Sequence, residues 1–198
     1  MEHARVKCSL IGNFAVGKTS IIRTLLDRPV QDPETTLGID FFTKTISYGG
    51  QSVHPYGGQL VHLSIWDTAG SERFHSLMHA YLRDAVLIII VYDTTNPESN
   101  ILQWMRIVEQ HSPKVVGILG NKTDLTSVNC ENFDDLLFPW SRQNLKIVRG
   151  TCSARDSDSV KLFFKRCLKE VLQDESEVPI LTPIRFETTS TKKHTCCT

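Results

Sequence analysis

The chain of 198 residues suits one ordinary domain with a modest extension, long enough to bury a substantial core. Hydrophobic residues make up 40% and charged residues 22%, the balance of a soluble globular protein. Lys+Arg and Asp+Glu both number 22, which argues against a broad nucleic-acid footprint, since that needs a basic excess.

Met1 to Arg5 carries charge with no apolar signal region behind it, so secretion is not expected. The longest apolar run, Ala85 to Tyr92, falls well short of the roughly 20 residues a bilayer demands. It reads instead as a strand buried on both faces. Cys8, Cys130, Cys152, Cys167, Cys196 and Cys197 show no tight spacing except the terminal pair, so reduced thiols are expected rather than disulfides.

In chain order, Val6 to Ile11 is an apolar strand ending in Gly12, and Ser20 to Leu26 continues as a helix that stops before Pro29. Phe41 to Ser47 and Leu60 to Trp66 alternate with period two, as the arms of a hairpin do. After the Ala85–Tyr92 strand comes an amphipathic helix with Ile101, Met105 and Val108 on one face and Leu102 close by. Val115 to Leu119 is a further buried strand, a short helix is expected at about 131–137, and Leu145 to Val148 is the next strand. A long helix spans Ser157 to Leu172, and the Pro- and Thr/Ser-containing stretch beyond Gln173 reads as a disordered tail. Alternation of strand and helix implies a mostly parallel sheet with helices on both faces.

The hairpin carries a tandem repeat. Tyr48–Pro55 and Tyr56–Leu63 match at six of eight positions. Removing one copy leaves strand, Gly-Gly turn and strand, an ordinary hairpin. The expectation is a small duplication that lengthens the loop without disturbing the sheet, because added loop length costs little.

Gly12-Asn13-Phe14-Ala15-Val16-Gly17-Lys18-Thr19 satisfies the phosphate-loop pattern and sits between strand and helix, the context that gives such a match meaning. Glycines let backbone N–H groups turn toward phosphate oxygens, helped by the helix N-terminus at Ser20. Lys18 would neutralise the β- and γ-phosphates, and the Thr19 hydroxyl would bind Mg²⁺. The loop alone specifies only a nucleoside triphosphate. Guanine is argued from Asn121-Lys122-Thr123-Asp124, directly after a buried strand. The Asp124 carboxylate can accept from both N1–H and the 2-amino group of guanine, whereas adenine would leave it unpaired. Asp67, in Trp66-Asp67-Thr68-Ala69-Gly70, is placed to hold Mg²⁺ through water, and the Gly70 N–H to meet a γ-phosphate.

With these motifs on one chain, about residues 4–173 resemble the Ras superfamily, and Rab proteins most closely. Thr36-Leu37-Gly38-Ile39-Asp40-Phe41 looks like the Rab first switch, which implies that Thr36 closes on Mg²⁺ and the γ-phosphate. Arg73–Met78, Tyr81–Ala85 and Ile90–Thr95 resemble other Rab-typical stretches. Cys152-Ser153-Ala154-Arg155 is similar to the last guanine loop, with Arg155 where Lys is usual, and implies an Ala154 N–H directed at guanine O6. Trp66, Phe74 and Tyr81 fall where such proteins often place effector-binding aromatics, with core packing as the competing role. In the tail, a single-prenyl box needs Cys fourth from the end, where Thr195 stands; the Cys196-Cys197 pair resembles a double-geranylgeranylation site.

The resemblance implies a phosphate-loop GTPase domain at 4–173 with a six-stranded, mostly parallel mixed sheet, followed by a tail at 174–198. It implies a GTP/GDP switch with Mg²⁺ as cofactor, acting in vesicle trafficking on the cytoplasmic face of endomembranes and cycling with the cytosol. Its implied partners are exchange factors, GTPase-activating proteins, effectors, a prenylation escort, a GDP-dissociation inhibitor and the membrane itself. Three positions depart from the pattern. Ser71 stands where Gln usually orients the attacking water, and it is too short to reach the same point. Phe14 puts a ring in the phosphate loop where a small residue is usual. From Leu25 to Thr36 there is no aromatic residue to pack on the guanine. The first two predict slow hydrolysis and the third fast exchange. A non-hydrolysing, GTP-dependent binding module is the alternative, while an ATP-using phosphate-loop enzyme is disfavoured by Asp124.

Overall fold

A computed structural model describes residues 4–30, 38–48, 59–68, 75–96, 101–125 and 145–173. Thr36, Gly70, Ser71, Phe74, Cys196, Cys197, the expected helix at 131–137 and the tail lie outside the described residues.

The elements run β1 (Ala4–Ile11), α1 (Lys18–Leu25), β2 (Ile39–Tyr48), β3 (Gln59–Thr68), α2 (His75–Leu82), β4 (Leu87–Asp93), α3 (Ile101–Glu109), β5 (Val115–Asn121), β6 (Lys146–Thr151) and α4 (Ser157–Leu172). They build a six-stranded sheet in the order β2-β3-β1-β4-β5-β6. The β2–β3 pair is antiparallel and every other pairing is parallel, so the expected mixed sheet with one antiparallel edge is present.

Alternation along β4 assigns the helices to faces. Leu87, Ile89 and Val91 pack with Ile21, Ile22 and Leu25 of α1 and with Phe164 and Leu168 of α4. Ile88, Ile90 and Tyr92 point the other way, onto Met78 and Leu82 of α2 and Trp104, Met105 and Val108 of α3. A strand covered on both sides has no polar face to show, which is why the Ala85–Tyr92 stretch is continuously apolar. Cys8 and Cys167 are wholly buried in the first of these cores, as expected, and burial pushes the Cys167 thiol up to about 12.

Three expectations are refined, the first being α1, which spans Lys18–Leu25 rather than Ser20–Leu26. Leu102 is an exposed residue of α3, and Trp104, 5% exposed, takes the buried place. Ile101, Trp104, Met105 and Val108 then follow the i, i+3, i+4, i+7 spacing of a single helical stripe. The last parallel strand is Lys146–Thr151 rather than 145–148, because its backbone pairing with β5 continues to Gly120↔Thr151.

The hairpin register is unbroken from Ile39↔Thr68 to Tyr48↔Gln59. The repeat thus ends β2 with Tyr48 and starts β3 with Gln59, and the sheet absorbs it without a bulge. The residues between, 49–58, lie outside the described part.

Candidate functional site: a phosphate loop facing a base loop

The carboxyl ends of β1, β3, β4 and β5 converge on one rim of the sheet, where an open α/β sheet receives its ligand. The phosphate loop leaves β1 at Gly12, whose φ of 143° and position against β4 admit no side chain: a Cβ there would lie 2.2 Å from the Val91 carbonyl oxygen. Gly17, with φ 95°, caps α1, and a Cβ there would fall 2.3 Å from Asn121 Nδ2. Glycine at these two places is a packing requirement as well as a conformational one.

Lys18 opens α1 and is 5% exposed. Its ammonium donates to the Gly12 and Asn13 carbonyl oxygens, both at 2.9 Å, and so lies across the mouth of its own loop. Burial lowers its pKa to about 8, against the opposing pull of Asp67. Phe14 is 60% exposed, so its ring stands out from the loop rather than packing into the core. Ala15, next to it, holds a positive φ of 60°.

Thr19 Oγ1 donates to Asp67 Oδ2 at 2.5 Å, tying the first turn of α1 to the end of β3. The other carboxylate oxygen, Asp67 Oδ1, is buried with no hydrogen-bond partner among the described residues. Burial raises the Asp67 pKa, opposed by the Thr19 hydrogen bond and the Lys18 charge. A buried carboxylate oxygen left unpaired is costly unless a ligand meets it. The donor set here is a hydroxyl and a carboxylate, hard oxygens beside a phosphate loop, which suits Mg²⁺ with its retained waters.

The base loop is held by Asn121, 1% exposed at the end of β5. Its Nδ2 donates to the Val16 carbonyl at 2.9 Å, and its Oδ1 accepts from the Ala154 N–H at 2.9 Å. One side chain therefore clamps the phosphate loop to the loop after β6. The Ala154 N–H expected to face guanine O6 is turned onto Asn121 in this structure. Thr24 Oγ1 of α1 donates to the Ala154 carbonyl, a second tie to the same loop.

Asp124 lies at the rim. Ser153 Oγ donates to its Oδ1 at 2.7 Å, and Arg155 approaches its Oδ2 at 3.5 Å. The Ser153 hydrogen bond, aided by the charges of Arg155 and Lys122, keeps the Asp124 carboxyl below its ordinary range and hence ionised. Each carboxylate oxygen has further lone pairs, so both N–H groups of a guanine edge can still be accepted. Lys122, with a positive φ of 70°, pairs with Asp93 at 2.5 Å and braces β4 against the base loop.

The structure thus brings together Gly12 to Ser20, Asp67, Asn121, Lys122, Asp124 and Ser153 to Arg155. Thr36, Gly70 and Ser71, expected to complete the site, lie outside the described residues. Sequence reading missed Trp104, whose Nε1–H donates to Asn13 Oδ1 at 2.8 Å. His79 Nδ1 lies 2.9 Å from His111 Nε2 and links α2 to the turn after α3. Among the described residues, no three His, Cys, Asp or Glu side chains form a metal cluster.

A profile of the Ras family matches residues 7–173. Human Ras-related protein Rab-30 is 36% identical over 208 aligned residues, covering 96% of this chain and 94% of its own. Ras-related protein Rab-10 of Caenorhabditis elegans is 42% identical over 125 residues, 61% of this chain and 58% of its own. Human Ras-related protein Rab-31 is 38% identical over 133 residues, 65% of this chain and 64% of its own. With a phosphate loop, a part-buried Thr–Asp pair and an Asn–Asp base loop on one sheet rim, the chain belongs to the Ras family and is a Rab-family small GTPase.

Proposed function

We propose that this protein is a Rab-type GTP/GDP switch of vesicle trafficking, biased toward its GTP-bound state. The observation that carries the nucleotide reading is the Thr19–Asp67 pair at the phosphate-loop mouth, with its buried Asp67 Oδ1 unpartnered among the described residues. Thr19 and Asp67, with Thr36, would hold Mg²⁺, and the bound ion would neutralise charge on the β- and γ-phosphates. Lys18, held at the loop mouth by the Gly12 and Asn13 carbonyls, has a third N–H left to donate to phosphate oxygens. Asp124, kept ionised by Ser153, selects guanine, and Asn121 keeps base loop and phosphate loop in register. Gly70 would donate its N–H to the γ-phosphate.

The bias follows from three departures from the family pattern. Ser71 lacks the reach to orient a water for in-line attack. Phe14 stands exposed in the phosphate loop, where its ring crowds the γ-phosphate and any arginine finger supplied in trans. Leu25 to Thr36 carries no aromatic residue to cover the guanine, which favours rapid exchange. Phe14's exposure also supports a second reading, a GTP-dependent binding module without turnover.

Effectors would dock on the aromatic row of Phe41, Trp66 and Tyr81, with ring centroids 4.9 Å and 5.4 Å apart and Phe41 52% exposed. Trp66 and Tyr81 are half-buried and brace the exposed Phe41, and aromatics of this kind suit binding hot spots. Exchange factors, GTPase-activating proteins, a prenylation escort and a GDP-dissociation inhibitor complete the proposed set of partners. No helix of the described residues is long and apolar enough to cross a membrane. Attachment to the cytoplasmic face of endomembranes is assigned to lipids on Cys196 and Cys197, with 4–173 as the switch domain and 174–198 as the tether.

Binding of labelled GTP and ATP to Mg²⁺-supplied protein tests the nucleotide reading. GTP is expected to bind and ATP not; equal binding of both, or of neither, contradicts it.

A further inference from the structure

Three points of the phosphate loop are anchored differently. Gly12 is wedged against Val91, and the Val16 carbonyl is held by Asn121. The apex between them, Asn13 to Ala15, is tied to α3: Trp104 Nε1 donates to Asn13 Oδ1 at 2.8 Å. An indole N–H can only donate, so this contact fixes which amide atom of Asn13 faces the ring. Trp104 itself is 5% exposed and packs with Ile11, Tyr92 and Met105, so the donor is mounted on a rigid wall.

Asn13 is engaged at both ends. Its side-chain oxygen accepts from Trp104, and its backbone carbonyl accepts from Lys18 Nζ at 2.9 Å. A displacement of Asn13 therefore displaces the carbonyl that aims the ammonium. We propose that Trp104 is a positioning residue for nucleotide binding, acting through Asn13 on Lys18 and hence on the phosphates beyond the α-phosphate. The inference rests on the guanine-nucleotide reading above and adds α3 to the machinery of the site. The turn that follows α3 carries His111, which contacts His79 of α2.

The route through Lys18 makes a selective demand. Loss of the Trp104 N–H should weaken ligands that carry a β-phosphate and spare those that do not. A purely architectural role of the tryptophan would weaken both alike. The test is competition binding of GDP and GMP to the full-length protein, comparing wild type, Trp104→Phe, Asn13→Leu and the double variant, with thermal unfolding as the folding control. Loss of one buried hydrogen bond predicts roughly 3- to 10-fold weaker GDP binding in either single variant, with GMP unchanged. The double variant is expected to be no weaker than the singles, because both remove the same contact. Equal weakening of GDP and GMP, unchanged GDP binding, or additive losses in the double variant overturns the inference. Asn13→Leu carries the test alone if Trp104→Phe fails to fold. A wild type that binds no guanine nucleotide overturns the underlying reading instead, and this inference with it.

Discussion

Thr19 Oγ1 and Asp67 Oδ2 meet at 2.5 Å, and the opposite oxygen of the same carboxylate is buried without a partner among the described residues. The pair joins the first turn of α1 to the end of β3. In the nucleotide-free protein it is a cost, because burial raises the Asp67 pKa and the ionised form is disfavoured. Asp67→Asn is expected to separate the two roles. It should make the metal-free protein more stable in thermal unfolding, and it should weaken Mg²⁺ roughly 10- to 100-fold, the range for an outer-shell ligand partner. In wild type a chelator should speed GDP release; in the variant release should be fast with or without it.

Lys18 gives a pH signature with a definite sign. Its folded pKa of about 8 lies below the ordinary lysine value because burial disfavours the ammonium. The penalty is full below that pH and is relieved as pH rises toward about 10.4, the unfolded value. Nucleotide-free protein should therefore gain stability from about pH 8 upward, and Lys18→Met should lack that gain. Phosphate anions draw the lysine back to its charged form, so GDP affinity should fall above about pH 8. The limit is about tenfold per pH unit for one linked proton. Titrations of unfolding and of GDP binding across this range check both directions.

Asn121 is the joint between the two loops. Asn121→Ala strands the Val16 carbonyl and the Ala154 N–H, each buried. The expected loss is about 2–4 kcal/mol of unfolding free energy, since each orphaned group costs about 1–3 kcal/mol. Asp124→Ala, at the exposed rim, should leave stability almost unchanged and abolish discrimination between GTP and ATP. Denaturant unfolding and nucleotide competition distinguish the two variants.

The repeat at Tyr48–Leu63 predicts a tolerated deletion. Tyr48 pairs with Gln59, so removal of residues 48–55 lets Tyr56 take the place of Tyr48 with Gly57-Gly58 as a two-residue turn. Shortening a loop from ten residues to two changes closure entropy by only about 1–1.5 kcal/mol. Thermal unfolding of the deletion variant should match wild type or exceed it slightly; marked destabilisation would show that the longer loop packs on the domain.

Much of this was legible in sequence because it is local. The phosphate loop is contiguous, the β4 run is continuously apolar, and α4 was bounded at Ser157 and Leu172 by its periodicity. The start of α1 was placed late because Gly17 caps it in the left-handed conformation without a side-chain cap, so no capping residue announces it. Two adjacent apolar residues, Ile101 and Leu102, leave the helical phase ambiguous in sequence until Trp104 is seen to be buried. What could not be read were contacts between distant residues. Asn121 and Val16 are 105 positions apart, and Trp104 and Asn13 are 91 apart; only the sheet order brings each pair together.

The central claim, a switch held toward GTP by Ser71 and Phe14, is tested most directly by single-turnover GTP hydrolysis with Mg²⁺. Wild type is to be compared with Ser71→Gln, Phe14→Ser and the double variant. The account predicts wild-type turnover below the family's intrinsic rate of about 10⁻⁴ s⁻¹, with the double variant restored toward it. Wild-type hydrolysis at that rate, with no gain in the double variant, would contradict it.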